Sequence, residues 1–490
     1  MKIDEYMAFD ATGLAELVHR GEVAPPELTE AALERIERLN GSINAVVERI
    51  DDEARARART IPTAARLAGV PFLAKDVNIE VRGLRLAFSC RWLAQLPPAS
   101  EDAPLAERWR AAGLSILGRS NTPEFAGEFV CEPTWRGPTR NPWDPARSPG
   151  GSSGGAAAAV ASGMVPLAHG TDLGGSIRVP AAACGLVGFK PSRGLVPVGP
   201  NHDELAGGLD CEHVLTRTVR DSALMLELTC GRESTSRAII PRIEYSRAVD
   251  AVLPRLEVGV LMAAPDGIRP NAEIGAAVED IAAHLSRAGH QVSAAAFPDC
   301  TGLGEAAGIL WLTATAEDID FLRRRVGRDP APDELEALSR AAVEVGKRAS
   351  AVEYVRARRT LTALTRKLAQ RFARFDVLLL PTTAEHAPLT GAIDGRTAAF
   401  DLARWTAESY GYAPYTEIFN VTGQPAISLP LAESRTGLPI GVQLAAPPGE
   451  DARLIALAAW LERERPWAAR LASLQRRLSV GGAGTRPAGR

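Results

Sequence analysis

The 490-residue chain lacks a metal-binding cysteine pattern, a long hydrophobic run and an excess of either charge. Its six cysteines (Cys90, Cys131, Cys184, Cys211, Cys230 and Cys300) are scattered, with no CxxC and no metal-like pairing with histidine. That spacing speaks against a zinc site or a dithiol redox motif and suits reduced thiols. No run approaches the roughly eighteen apolar residues of a membrane span. The opening residues, MKIDEYMAFDATGLAELVHRG, are interrupted by acidic side chains and do not read as a signal peptide. These features predict a cytoplasmic protein with no membrane partner. A formal charge of −3 gives no electrostatic basis for binding nucleic acid, and the arginine clusters at 323–325 and 356–359 read as solvated helix faces. No solenoid-like repeat is visible.

What is present is a chain long enough for a large core, with 46% hydrophobic and 23% charged residues, as in ordinary globular proteins. Its most informative stretch is residues 147–194, RSPGGSSGGAAAAVASGMVPLAHGTDLGGSIRVPAAACGLVGFKPSRG. Two glycine-flanked serine clusters, Ser152-Ser153 and Ser176, are joined there by a run of small residues. Glycine lets a backbone approach a ligand closely. A Gly-Gly pair before a serine also leaves backbone N–H groups free to point at an oxyanion. The intervening GAAAAVASG, residues 155–163, predicts a helix packed closely on its neighbours. Apolar, helix-capable sequence on both sides of each cluster argues against a flexible linker.

A serine hydroxyl needs a proton acceptor before it becomes an effective nucleophile, and histidine is the usual one. His169 lies in an apolar turn two residues before Thr171 and reads as a partner in a backbone hydrogen bond. His202 and His213 flank a loop, and nothing in the sequence places them. The run GGSIR around Ser176 is not the strand–GxSxG–helix elbow of a Ser-His-Asp enzyme.

Around this block the chain reads as helices and buried strands. Leu28, Ala31, Ala32, Ile36 and Leu39 fall on one face of a helix that Asn40-Gly41 is expected to stop. Residues 70–74 predict a buried strand that delivers Lys75 at its end, 105–112 a helix and 114–117 a further strand. Residues 118–125 predict a loop followed by a helix start. Residues 256–262, 271–288 and 290–297 form a βαβ pattern, and 301–368 are mainly helical. Residues 376–381, 419–430 and 441–444 supply the last strands before a final helix at 452–462. Residues 234–254 read as surface, and the tail from 481 lacks apolar anchors and is expected to be disordered.

The serine block resembles the amidase signature family in its GGSSGG, its GTDLGGSIRVPA and its closing GFKPSRG. Ser152 and Ser176 are twenty-four residues apart, the spacing of that family's bridging serine and nucleophile. Upstream, GVPFLAKD at 69–76 is similar to the segment that carries the family's catalytic lysine. The resemblance runs from the N-terminal helices to the final helix. It implies an α/β fold: one large domain whose central mixed, mostly parallel twisted sheet is covered by helices on both faces. It also implies a helical N-terminal segment at 1–66, a catalytic domain at 67–478 and a variable pocket-shaping region at about 300–410. A tail at 479–490 would follow. The family often forms homodimers, although no segment here reads as an interface.

The resemblance further implies the site residues. Lys75, its ammonium form disfavoured by burial, would take a proton from Ser152, which in turn takes that of the nucleophile Ser176. The bridging serine follows a cis peptide in this family, here Gly151–Ser152. The oxyanion hole would be the backbone N–H groups of Leu173, Gly174, Gly175 and Ser176. Leu173 departs from the threonine common there, which a backbone donor tolerates. Ser153, Asp172 and Arg178 are supporting residues, with the last two bracing the loop. No metal and no cofactor are implied. The expected partner is a small-molecule amide substrate, and Glu132-Pro133-Thr134-Trp135 adds to the similarity with hydrolases of small or cyclic amides. The same acyl-enzyme could instead serve an acyltransferase or amide-forming enzyme, or the glutaminase subunit of a tRNA-dependent amidotransferase. A non-catalytic binding protein would be expected to have lost Lys75, Ser152 or Ser176, and all three are present.

Overall fold

The computed structural model describes residues 1–199, 204–231, 243–397 and 400–481. Short strands such as PFLAK and LAHGT are buried at every position, the pattern of a sheet covered on both faces. Eleven strands follow in chain order: β1 Val46–Arg49, β2 Pro71–Lys75, β3 Ser115–Ser120, β4 Leu167–Thr171, β5 Val187–Lys190, β6 Glu212–Thr216, β7 Glu257–Val260, β8 Gln291–Ala294, β9 Val377–Pro381, β10 Ala426–Glu433 and β11 Pro439–Ala445. They form one sheet in the order β1-β3-β2-β4-β6-β5-β10-β11-β9-β7-β8.

The sheet is mixed, as the resemblance implies, but parallel pairs are the minority. β2 runs parallel to β3 and β4, and β7 runs parallel to β8 and β9. The other six pairings are antiparallel. Connection length explains part of the difference. β10 and β11 are joined by only a tight turn at Ser434–Leu438, and a parallel pair needs a crossover of a dozen residues or more. The expected βαβ unit is present: Asn271 caps the helix Ala272–Arg287 by accepting the Ile274 N–H at 3.1 Å, and β7 and β8 flank it.

The N-terminal helix Pro25–Ile43 starts on a proline and buries Leu28, Ala31, Ala32, Ile36 and Leu39 as its periodicity predicts. It does not stop at Asn40-Gly41. Ile43 is buried and holds one more turn, and the helix ends on Asn44 at φ 56°. Asn40 caps the exit instead, its Oδ1 accepting the N–H groups of Ala45 and Val46 at 2.9 and 2.8 Å. The chain then enters β1, so the N-terminal segment is not purely helical: it adds an edge strand to the sheet. The expected helix start after Pro123 is only a short turn, Glu124–Ala126, with Phe125 and Ala126 in the left-handed region. Phe125 stacks there on Phe88, ring centroids 5.3 Å apart, so packing overrides local helix propensity.

At the other end, Asp451–Glu464 is followed by a further helix, Ala468–Gly481, which the sequence reading missed. Leu471 and Leu474 bury its inner face, and Arg35 donates to both Ser162 O and Gln475 O, tying the two ends of the chain together. The expected tail therefore begins inside a helix, and its remainder, 482–490, lies outside the described residues, as do 234–242 of the expected surface segment.

The alanine-rich helix Gly154–Ala161 is buried on every side. Gly155 makes that possible, because a Cβ there would lie 2.4 Å from Asn121 N and 2.6 Å from Asn121 O. Gly155→Ala should therefore destabilise the fold by roughly 1–3 kcal/mol through overpacking against backbone. A lowered urea midpoint measures this, and an unchanged midpoint would count against the close approach.

Candidate active site

β2 and β4 are parallel neighbours, so their carboxyl ends emerge side by side. That end of a sheet is where α/β proteins commonly bind ligands. β2 ends on Lys75 and β4 on Thr171. Lys75 Nζ is fully buried and donates to Ser152 Oγ at 2.7 Å and to Thr171 Oγ1 at 2.8 Å. Ser152 follows a cis peptide bond from Gly151. Ser153 N–H donates to Ser176 O at 3.2 Å, which fastens the two serine loops together. The Ser176 hydroxyl makes no hydrogen bond among the described residues, and Ser176 and Ser152 open onto one cavity of about 680 Å³. The N–H groups of Leu173, Gly174, Gly175 and Ser176 likewise have no acceptor among the described residues. Gly175 sits at φ 144°, where a Cβ would also meet Thr416 Oγ1 at 2.3 Å, so only glycine fits.

Among the described residues no histidine hydrogen-bonds to Ser152 or Ser176. His169 Nδ1 accepts the Lys75 backbone N–H at 3.2 Å, so its proton is on Nε2, which donates to Glu212 Oε2 at 2.6 Å. Burial, reinforced by Lys75 and Arg119, keeps His169 neutral far below its ordinary range. His213 is buried against Phe189 and Ser222, and burial pushes it down to about 3. His202 lies outside the described residues.

Burial pushes the Lys75 ammonium down to about 8, against the opposing pull of Asp210 and Glu212. Those two carboxyls are themselves raised, chiefly by burial, and share the Asn78 side-chain amide as donor at 2.9 and 2.8 Å. Asp76, beside Lys75 in the chain, accepts the N–H groups of Ala87 and Ser89 at 2.8 and 2.9 Å. It thereby holds Phe88, on the cavity wall, and its neighbour Ser89 at φ 51° and 47°, a conformation costly for residues with side chains.

The sequence model of the amidase family matches residues 27–455. The chain belongs to the amidase family. It is 36% identical over 481 residues to the 6-aminohexanoate-cyclic-dimer hydrolase of Paenarthrobacter ureafaciens, covering 94% of this chain and 96% of that protein. A solved structure of 6-aminohexanoate cyclic dimer hydrolase superposes with a TM-score of 0.91 at 35% identity, over 96% of this chain and 99% of the other. A bacterial aryl acylamidase of the amidase signature family gives a TM-score of 0.85 at 28% identity, over 98% of this chain and 99% of the other. The chain is thus a hydrolase of carbon–nitrogen bonds other than peptide bonds, and no described helix is long and apolar enough to cross a membrane.

In this amidase the loop 172–176 is braced from beneath. Arg178 donates to Asp172 at 2.9 Å through Nε and 2.7 Å through Nη2, and also reaches Thr416 O, Gln443 Oε1 and Asn420 Oδ1. Burial alone would raise the Asp172 carboxyl, but Arg178 and the Asn420 amide hold it down at about 2. Thr416 Oγ1 donates to Gly174 O at 2.6 Å, a brace from 242 residues away that no local motif announces. The side-chain roles of Thr171, Asp210, Glu212 and Asn78 were also missed. Asp210 and Glu212 do share one face of DCEH by strand alternation. Asp172→Asn should leave a buried arginine without its counter-charge and cost about 3–5 kcal/mol. Chemical denaturation reads this directly, and a loss below about 1 kcal/mol would contradict the bracing role.

Proposed function

We propose that this amidase hydrolyses a small carboxamide through an acyl-enzyme on Ser176, with Ser152 and Lys75 relaying the proton. The observation that carries the reading is a water-excluded Lys75 Nζ within 2.7 Å of Ser152 Oγ, behind a cavity that Ser176 lines. A surface lysine is a poor base because it stays protonated; burial lowers its pKa into a useful range.

The chemistry balances as follows. Neutral Lys75 accepts the Ser152 proton while Ser152 accepts that of Ser176, and Ser176 Oγ adds to the amide carbonyl carbon. The oxygen gains negative charge and meets the free N–H groups at 173–176, donors of the kind worth about 10²–10³ in rate each. As the tetrahedral adduct collapses, the proton returns from Lys75 through Ser152 to the leaving nitrogen, and the C–N bond breaks. Water then adds to the Ser176 ester by the same relay, releasing the acid and restoring the serine.

Two of the similar proteins are named for a cyclic amide dimer and for aryl acylamides, and a cavity of about 680 Å³ accommodates molecules of that size. Small cyclic or aryl amides are therefore the substrates to try first. On such a panel Ser176→Ala should fold normally and lose at least about 10³-fold in kcat. Adding hydroxylamine to the wild type should trap the acyl group as a hydroxamate at the expense of acid. Preferential transfer to amines over water would instead favour an acyltransferase, and absence of any trapped acyl group would contradict the acyl-enzyme.

The pH dependence has a fixed sign. Lys75 must be neutral to act, and its pKa lies near 8, so kcat/KM should fall about tenfold per pH unit below that value and level off above it. Lys75→Ala should remove this limb and lower the rate by about 10²–10⁴-fold. A wild-type profile flat from pH 6 to 9, whatever the substrate, would rule out the lysine as base.

A further inference from the structure

The cavity's charge has a single sign. Among its described lining residues are seven carboxyl side chains and no lysine, arginine or histidine. Most of these have partners elsewhere: Glu204 pairs with Arg358 at 2.7 Å and Glu317 with Arg324 at 3.6 Å, Asp210 receives Asn78 and the Cys211 N–H, and Glu128 Oε1 accepts the Gly395 N–H and the Trp405 indole N–H. Glu305 is exposed to solvent, and the remaining two lack a counter-charge. Glu417, only 6% exposed, stands at the start of the helix Glu417–Thr422, next to the oxyanion loop: its Oε1 would lie 3.9 Å from a Cβ built on Gly174. That oxygen accepts the Tyr410 hydroxyl at 2.5 Å, and Oε2 has no partner among the described residues. Asp318, on the helix Leu303–Val326, has neither a hydrogen bond nor an ion pair among the described residues.

A nearly buried carboxylate oxygen without a donor is costly unless a ligand supplies one. Aromatic rings complete the surroundings. Phe129 packs edge-on against Tyr410, and Trp311 stacks on Trp405, all four lining the cavity. Rings and carboxylates together favour an organic cation over a neutral or anionic group.

We propose that the preferred substrates are amides that carry a protonated amine, the ammonium group being received by Glu417 and Asp318 among the aromatic rings of this cavity. The proposal rests on the amide-hydrolase reading above and narrows it to a substrate class. Burial pushes Glu417 and Asp318 each up to about 7, which fits carboxyls lacking a counter-charge. A bound ammonium would supply that charge and favour their ionised forms. An anionic substrate would meet repulsion, and a neutral one would bring no counter-charge to these carboxyls.

The test compares ω-amino amides of increasing chain length, from glycinamide to 6-aminohexanamide, with the n-alkyl amides in which a methyl replaces the ammonium group. At pH 8 and the best length, kcat/KM should favour the amino amide at least tenfold. Glu417→Gln and Asp318→Asn should each reduce that ratio at least fivefold, with folding checked by circular dichroism. Should Glu417→Gln fail to fold, Asp318→Asn carries the same comparison. Calorimetry on Ser176→Ala with the same pairs reads the preference without turnover. Tighter binding of the amino amide by Ser176→Ala supports the cation site, and where the wild type hydrolyses neither compound the same binding preference counts against the hydrolase reading alone. Hydrolysis of both series with equal or reversed preference at every length, unchanged in both variants, overturns the cation site and leaves the hydrolase reading standing.

Discussion

Lys75 Nζ sits where water does not reach it, on the end of a strand buried on both faces, and it still has to find hydrogen-bond partners. An isolated ammonium in such a place is strongly disfavoured, so the group moves toward its neutral form or gathers opposite charge. This chain does both. Burial lowers the lysine, while Asp210 and Glu212 stand close enough to pull it partly back. Ser152 and Thr171 take up its hydrogen bonds. Much of the surrounding architecture serves to hold that balance. The parallel pairing of β2 and β4 sets Lys75 beside Thr171, and His169 fixes the lysine backbone while anchoring Glu212.

The loop 172–176 meets a second constraint: on the proposed reading its N–H groups must stay unengaged rather than collapse onto nearer acceptors. The Asp172–Arg178 pair, Asn420 and Thr416 grip the loop 172–176 from its inner side, leaving its outer N–H groups unengaged. Such pre-positioned dipoles are effective because they need no rearrangement when charge develops. Asp76 holds Phe88, which lines the cavity, and Ser89 in left-handed conformations. One short segment, LAKD at 73–76, thus contributes both the buried amine and a carboxylate that shapes the cavity wall at Phe88.

Much of this was legible because it is local. Gly-Gly-Ser repeats, an alanine-rich run and a strand ending in lysine each carry their own physical meaning within a few residues. The alternation and helical spacing that place β2, the helix Pro25–Ile43 and the βαβ unit around Ala272–Arg287 are equally short-range. What the sequence concealed depends on distant partners. The left-handed turn at Phe125 exists because Phe88 packs on it, and the expected helix there gives way. The braces from Thr416 and Asn420 come from a helix about 240 residues beyond the loop they hold. The balance of antiparallel over parallel strands depends on which strands meet at the centre of the sheet, and hydrophobic alternation alone does not encode that. The acidic character of the cavity was hidden for the same reason: Asp210 lies in a loop before β6, while Asp318 and Glu417 stand on two separate helices.

The rate at which an aryl fluorophosphonate labels the chain, followed against pH with the modified residue located by peptide mass spectrometry, tests the central claim without knowledge of the substrate. Coupling of a buried lysine to the nucleophile predicts one label, on Ser176. Its rate should rise with a single ionisation near the lysine's pKa of about 8 and collapse in Lys75→Ala. Labelling on another residue, or on Ser176 at a rate indifferent to Lys75, would contradict it.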